Sequence, residues 1–86
     1  MEILYSDKAT KQLKKIAKGS KKNAKMIMEG IEEYVANPSI VFDIKVLNGK
    51  FCDFKRLRIG NYRVIFDENN NIMYIYQIKH RQEAYK

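Results

Sequence analysis

Only one cysteine, Cys52, occurs in the 86 residues, so the chain has neither an internal disulfide nor a zinc site built on cysteine ligands. No apolar run approaches the length of a membrane span, and we expect neither a signal peptide nor a membrane partner. Repeats, linkers and low-complexity segments are absent as well. The hydrophobic content of 45 % argues against disorder. These features predict one domain over residues 1–86 in the reducing cytoplasm.

Acidic residues are also few, with 10 against 17 lysines and arginines, and the formal net charge is +7. Residues 1–25 carry eight lysines and two acids, which gives this segment a charge of +6. All four arginines lie later, between positions 56 and 81. The lysine-rich segment predicts a solvated helix surface whose long-range field attracts a polyanion or an acidic protein.

The apolar pattern predicts an α+β fold, in which an N-terminal helical hairpin packs on one face of a twisted antiparallel β-sheet. Ser6 or Asp7 is expected to cap the first helix and Gly19 to stop it, and Ser20 to cap a second helix that ends at Asn37. The second helix has Ala24, Ile27, Met28, Ile31, Tyr34 and Val35 as its apolar stripe. Strands are predicted at Glu2–Tyr5, Phe42–Leu47, Phe51–Ile59, Tyr62–Asp67 and Ile72–Ile78, with residues 68–71 as a polar loop.

Two of these strands raise specific expectations. Residues 72–78 are apolar at positions that point to either face of a strand, which predicts a central strand covered on both faces. In the strand before the central turn, Asp53 and Lys55 alternate with the same spacing as the apolar Leu57, so they would point to the core face with it. This conflict predicts either that the regular strand begins only near Lys55 or that a bulge shifts its register.

The central hairpin is predicted by Gly60-Asn61, a two-residue turn between β-prone runs. This turn pairs Ile59 with Tyr62 and Arg58 with Arg63, and, further along, Leu57 with Val64 and Arg56 with Ile65. Opposed residues share a face of the sheet. Arg56, Arg58 and Arg63 therefore meet on the face opposite the apolar pairs.

Three guanidinium groups on one patch repel each other, because like charges opposed across a ladder are destabilising. Such a cluster points to an anionic partner. Arginine rather than lysine favours phosphate, which a guanidinium binds through two parallel hydrogen bonds. A solvated basic strand with nearby carboxylates is the alternative interpretation.

The segment from Arg56 to Phe66 resembles the central hairpin of the RelE/ParE superfamily of bacterial and archaeal toxins. His80-Arg81-Gln82-Glu83-Ala84-Tyr85 is similar to its C-terminal His-Arg…Tyr signature, and Leu47-Asn48-Gly49 to its Leu-x-Gly turn. The order of helices and strands also matches. This resemblance implies a RelE-like fold and a cognate antitoxin partner, expected to be a short acidic chain.

The RelE branch, by this resemblance, consists of ribosome-dependent endoribonucleases that cut mRNA and inhibit translation. The resemblance assigns Arg63 and Arg81 to the scissile phosphate, Arg56 to a basic site position, His80 to a general acid and Tyr85 to orienting or stacking the substrate. Either His80 or Tyr85 is expected to give the leaving group its proton. We predict further RNA contacts for a set of basic residues, Lys45, Lys55, Arg58 and Lys79.

Two positions depart from the RelE pattern. Phe54 stands where a RelE type has a catalytic lysine, and Lys45 stands near a position where some relatives carry a glutamate base. The proton-transfer residues are therefore open. The predicted reaction is attack of the RNA 2′-OH on the adjacent phosphorus, which needs neither a metal nor another cofactor. Two alternatives are a ParE-like inhibitor of DNA gyrase and a basic RNA-binding module without catalysis.

Overall fold

The computed structural model describes residues 2–37, 44–48 and 53–80, and at 44–48 and at 53 this description is confined to the backbone. Two helices and five strands lie in these ranges. They are β1 (Glu2–Tyr5), α1 (Asp7–Gly19), α2 (Lys21–Ala36), β2 (Ile44–Asn48), β3 (Asp53–Ile59), β4 (Tyr62–Asn69) and β5 (Ile72–His80). No helix in the described part is long and apolar enough to cross a membrane.

The described strands form one sheet in the order β1-β5-β4-β3-β2. The pairs β2–β3, β3–β4 and β4–β5 are antiparallel, and β1 pairs with the other edge of β5 in parallel. The predicted α+β architecture, a helical hairpin on one face of the sheet, is confirmed. The parallel pair departs from the antiparallel prediction, because the helical hairpin carries the chain away from β1 before β5 returns beside it.

Two serines define the ends of the helices. The Ser6 hydroxyl accepts a hydrogen bond from the Ala9 N–H at 3.0 Å and donates one to the Tyr76 carbonyl, which ties α1 to β5. Ser20 caps α2 by accepting from the Asn23 N–H at 3.2 Å. Its own N–H also bonds the Ile16 carbonyl and closes α1. Gly19 was expected to stop α1 as a C′ residue, but it is the last helical residue, and the extended Ser20 ends the helix instead.

The two turns differ in backbone conformation. Gly60 has a φ of +57°, which glycine adopts without steric cost, and no other residue of the β3–β4 turn has a positive φ. Asn70 and Asn71 both have positive φ, as a two-residue type I′ turn requires. Strand β4 therefore runs to Asn69, and the predicted four-residue loop is shorter than expected.

The core lies between the helices and one face of the sheet, and several of its side chains are completely buried. These include Ala9, Ile27, Ile31, Leu57, Val64, Phe66, Met73 and Ile75. The Tyr34 ring of α2 packs edge-on against Phe66 with centroids 5.4 Å apart. Met28 does not belong to this core, because its side chain is exposed on α2, so its place in the predicted apolar stripe is wrong.

Strand β5 is central, as predicted, but the expected cover on both faces is wrong at Tyr74, which is 36 % exposed. A β-bulge explains the apolar pattern. Ile65 pairs with Gln77 and Phe66 with Ile75, which leaves Tyr76 as an extra residue. The parity of β5 therefore changes at Tyr76, and apolar residues at both parities reach the same core.

Candidate phosphate-binding face

The sheet face turned away from the helices carries the predicted arginine cluster, and we call it the arginine face. The register of β3 and β4 agrees with the sequence prediction at every pair, with Arg58 opposite Arg63 and Arg56 opposite Ile65. The alternate residues Leu57 and Val64 are fully buried on the helix side. The tight Gly60 turn thus places three guanidinium-bearing positions on one surface.

Arg63 is the distinctive residue of this face. It is only 4 % exposed and is the charged residue found among the buried side chains of the described chain. Its Nε and Nη1 atoms are inaccessible to solvent and have no hydrogen-bond partner among the residues that the structure describes. A buried polar group without a partner costs about 1–3 kcal/mol, and a charged group costs more. The burial of Arg63 argues against the alternative interpretation of this cluster as a solvated basic strand.

An acceptor without a partner lies on the neighbouring strand. Gln77 is opposite Ile65, two positions along β5 from Lys79, which is opposite Arg63. The Gln77 Oε1 atom is buried and has no hydrogen-bond partner among the described residues. Sequence reasoning missed Gln77, because in a strand read as apolar on both faces a single amide gives no functional signal.

The other predicted RNA-binding residues divide between the two faces. Arg58 is exposed and Arg56 and Lys79 are half-buried, and their registers place all three on the arginine face. The backbone of Lys45 pairs opposite Arg56 in β2. Strand β3 is regular from Asp53, so the expected late start or bulge is wrong, and Lys55 lies on the helix side.

Lys55 accordingly leaves the RNA-binding set. Its Nζ is 3.7 Å from a Glu68 carboxylate oxygen, and Glu68 also accepts a hydrogen bond from the Tyr34 hydroxyl. Burial, followed by the hydrogen bond to Glu68 and its charge, raises the pKa of Tyr34 above its usual value. This ionic contact resolves the parity conflict, because it allows a lysine to stand at a core-facing position at the rim of the sheet.

His80 is also separated from the arginine cluster. It pairs opposite Tyr62, and the two rings meet edge to face with centroids 5.2 Å apart. Both rings line a groove of about 440 Å³ between the ends of α1 and α2 and the sheet. Because Tyr62 and Arg63 are consecutive in β4, they point to opposite faces. The structure therefore gives no support to His80 as an acid beside Arg63.

Three residues singled out in the sequence lie outside the described residues. They are Arg81, Tyr85 and Cys52.

An aromatic group occupies the other end of the arginine face. The Phe54 and Tyr76 rings meet edge to face at 4.8 Å, and Tyr74 packs on Tyr76 at 4.7 Å. Leu4 pairs with Tyr74 and is 39 % exposed. We call Leu4, Phe54, Tyr74 and Tyr76 the aromatic patch. Phe54, noted in the sequence as a departure from the RelE pattern, is thus part of a packed aromatic group.

The arginine face as a whole combines guanidinium donors, the Gln77 Oε1 acceptor that has no partner among the described residues, and a surface of aromatic rings. Arginine nitrogens bind phosphate oxygens, amide oxygens accept from hydroxyls, and aromatic rings stack on bases. Within the described ranges no group of three or more His, Cys, Asp or Glu side chains is placed to hold a metal ion. The arrangement is suited to binding a phosphodiester of single-stranded nucleic acid.

Comparison with known proteins gives a consistent result. A family model described as the ParE toxin of the type II toxin-antitoxin system, parDE, matches residues 3–85. Toxin RelE3 of Methanocaldococcus jannaschii is 27 % identical over 85 residues, which are 99 % of this chain and 96 % of the relative.

Solved structures share the fold over nearly the whole chain. The archaeal RelE in complex with RelB from Pyrococcus horikoshii OT3 is 28 % identical, with a TM-score of 0.70 over 93 % of each chain. The YoeB dimer from Staphylococcus aureus is 20 % identical, with a TM-score of 0.76 over 93 % of this chain and 95 % of YoeB. At this lower identity, the likeness to YoeB is a likeness of fold alone.

Proposed function

Because this chain belongs to the RelE/ParE superfamily of toxins from type II toxin–antitoxin systems, we propose that it is an endoribonuclease that cuts mRNA on the ribosome. The observation that carries the proposal is the buried Arg63, whose Nε and Nη1 have no hydrogen-bond partner in the described part of the chain. A permanent cation kept in this state destabilises the free protein, and a bound phosphate would satisfy it.

The reaction proposed is transesterification within the RNA. The 2′-oxygen forms a bond to the adjacent phosphorus, the bond from phosphorus to the 5′-oxygen breaks, and a cyclic phosphate and a 5′-hydroxyl result. Arg63 holds a non-bridging oxygen and stabilises the charge that develops on it, with Arg56 and Arg58 adding positive potential. Gln77 Oε1 is an acceptor suited to orienting the attacking 2′-hydroxyl, which is a donor that DNA lacks.

Two protons move in this step, one from the 2′-hydroxyl and one to the departing 5′-oxygen. Arg81 is our candidate for a second contact to the phosphate, from the family resemblance. Tyr85 is our candidate for the second proton transfer, because its hydroxyl is a donor. We assign His80 no proton transfer, because its ring packs on Tyr62 at the helix side of the sheet. No carboxylate is assigned as the base.

The proposed protein partner is a cognate antitoxin. The RelE relatives of Pyrococcus horikoshii and Methanococcus jannaschii, each 28 % identical, were solved as complexes with RelB antitoxins. Residues 1–25, with a charge of +6, would attract a short acidic chain of this kind.

The test is cleavage of a defined mRNA on programmed ribosomes, with the new ends mapped by primer extension. Arg63→Ala is compared with wild type and with Lys25→Ala, which removes one positive charge from an exposed site on α2. A reaction without ribosomes runs in parallel. We expect cuts that need the ribosome, a loss of about 10²–10³-fold in rate for Arg63→Ala and no comparable loss for Lys25→Ala.

Intact mRNA from a folded wild-type protein would overturn the nuclease proposal. DNA supercoiling by gyrase would then be measured, because the matching family model describes a ParE toxin. Binding of mRNA without cleavage would instead indicate a basic RNA-binding module.

A further inference from the structure

We propose that the aromatic patch is a base-binding subsite, which stacks an unpaired nucleobase of the same RNA strand whose phosphate Arg63 holds. This inference rests on the proposed function and extends it to Leu4, Tyr74 and Tyr76, which the family resemblance leaves without a role. It also gives a role to Phe54, which stands where a RelE type has a catalytic lysine. The subsite is formed by aromatic rings, one carboxylate and two asparagines at the β4–β5 end of the arginine face.

The rings form a continuous surface rather than isolated exposures. Phe54 from β3 and Tyr76 from β5 meet across β4 at 4.8 Å, and Tyr74 extends the group at 4.7 Å. Leu4 and Tyr74 pair across β1 and β5, and both are among the few large apolar side chains exposed in the described residues. Surface aromatic rings grouped in this way are the usual platform for single-stranded bases.

The bulge at Tyr76 creates this platform. A regular strand would place Tyr76 with Ile78 toward the helices, but the register shift brings Tyr76 to the same face as Tyr74 and Phe54. Bulges beside functional sites commonly change the direction in which a side chain points. Here the bulged residue, Tyr76, is the member of the aromatic patch that adjoins Gln77, which belongs to the phosphate-binding part of the face.

A cavity of about 270 Å³ adjoins the two tyrosines and is lined by polar groups from the β4–β5 hairpin, Asp67, Asn69 and Asn70. Asp67 pairs opposite Tyr74, so its carboxylate stands beside the aromatic rings. An ionised carboxylate only accepts hydrogen bonds. Of the four bases, guanine alone has two adjacent donors on its Watson–Crick edge, and we therefore assign guanine as the preferred base.

The spacing and the charge favour RNA over a protein segment as the occupant. Arg63 and Asp67 are four residues apart on one strand, about 13 Å, so consecutive nucleotides of one strand reach both parts of the face. The patch is continuous with Arg56, Arg58 and Lys79 on the same face, which attract a polyanion. At Asp67 a guanine presents uncharged donors, whereas an acidic side chain of an antitoxin segment would be repelled by the carboxylate.

The test measures binding without ribosomes, so that it is independent of cleavage. Short single-stranded RNAs carry 2-aminopurine, whose fluorescence is quenched when it stacks, and a 2′-deoxy nucleotide at the preceding position prevents attack on the phosphate. The full-length chain is titrated with these RNAs. Tyr74→Ala is compared with Tyr74→Phe and with Met28→Ala, an exposed apolar residue on α2.

We expect wild type, Tyr74→Phe and Met28→Ala to quench the fluorophore and to bind alike. Tyr74→Ala should abolish quenching and weaken binding roughly tenfold, the usual effect of losing one base–aromatic stack. Arg63→Ala should weaken binding of every RNA and reduce its salt dependence, while Tyr74→Ala leaves that dependence unchanged. In competition, unlabelled RNA with guanine should bind about tenfold better than RNA with adenine, and Asp67→Asn should remove that preference.

Several results would overturn the inference. The first is an absence of quenching with the wild-type chain, and the second is binding and quenching by Tyr74→Ala equal to those of wild type. The third is a loss of antitoxin affinity in Tyr74→Ala while its RNA binding stays intact. The last result would identify the patch as a protein-binding surface. Because the assay excludes cleavage, failure of the nuclease proposal on ribosomes would leave a positive binding result unchanged, and the two failures are distinguishable.

Discussion

Replacing Arg63 with methionine should make this protein more stable and inactive at the same time. Methionine is unbranched, flexible and uncharged, so it fills the volume of the arginine stem without a buried charge. Two guanidinium nitrogens that lack hydrogen-bond partners in the described structure disappear. Arg63 lies directly opposite Arg58 across the ladder, so the substitution also removes the repulsion between these two cations.

The magnitude follows from the burial of the side chain. A buried polar group without a partner lowers the free energy of unfolding by about 1–3 kcal/mol. Removing the group together with its charge should therefore restore a similar amount of stability. We therefore expect the free energy of unfolding of Arg63→Met to rise by about 1–3 kcal/mol. For a domain of this size, each kcal/mol raises Tm by about 4–8 °C.

The assay is urea unfolding in a buffer that contains neither phosphate nor sulfate, because either anion would occupy the site. Lys25→Met is the matched control, since it makes the same change of charge on an exposed side chain and should shift stability by less than about 0.5 kcal/mol. Added inorganic phosphate should then stabilise wild type but not Arg63→Met, because only a native state with the site binds it.

A lower stability of Arg63→Met would refute this reasoning. It would mean that the guanidinium contributes to folding through a structural contact, and the functional interpretation of its burial would fail. Equal stabilisation of both proteins by phosphate would place the bound anion elsewhere, for example on the lysines of the helices.

Three further substitutions test the fold around the site by urea unfolding. Gly60→Ala should cost about 1–2 kcal/mol, because its φ of +57° is unfavourable for alanine and a β-carbon there would also meet a methionine of α2. Gln12→Met should cost about 1–3 kcal/mol, since Gln12 Oε1 accepts at 2.7 Å from the N–H of Ile78, which is buried. Tyr34→Phe should cost about 1–2 kcal/mol by removing the hydrogen bond to the Glu68 carboxylate.

Controls for the first two come from neighbouring positions. Asn61→Ala lies in the same turn at a negative φ and should have little effect. Lys14→Met tests the same new side chain at an exposed position of α1. Unchanged stability of Gly60→Ala would contradict the turn assignment, and unchanged stability in either of the other two would mean that water replaces the lost hydrogen bond.

Local patterns in the sequence predicted much of the fold. The Gly60-Asn61 turn determined the register of β3 and β4, because a two-residue turn leaves only one alignment of the strands that follow. Ser20 was identified as a helix cap because a hydroxyl before a helix satisfies N–H groups that the helix leaves unbonded. Each of these signals concerns residues close together in the chain.

The candidate site was predicted only in part. Arg56, Arg58 and Arg63 share a face, as alternation along the strands required. His80 was grouped with them from its place in the C-terminal motif, but its register opposite Tyr62 puts it on the helix side. Lys55 was included for its charge, although its parity with Leu57 already indicated the opposite face, where it pairs with Glu68.

The sequence by itself determined the elements, the hairpin register and the presence of an arginine cluster, because these depend on spacing along one or two adjacent strands. Only the tertiary structure decided that Arg63 is buried, with no partner for its Nε and Nη1 within the described ranges, and that Gln77 lies on the same face. It also decided that Phe54, Tyr74 and Tyr76 form one patch. These features depend on which strands become neighbours and on a bulge that reverses the parity of β5. The sequence pattern did not reveal this reversal, because an extra residue can be inserted at more than one point along a paired strand.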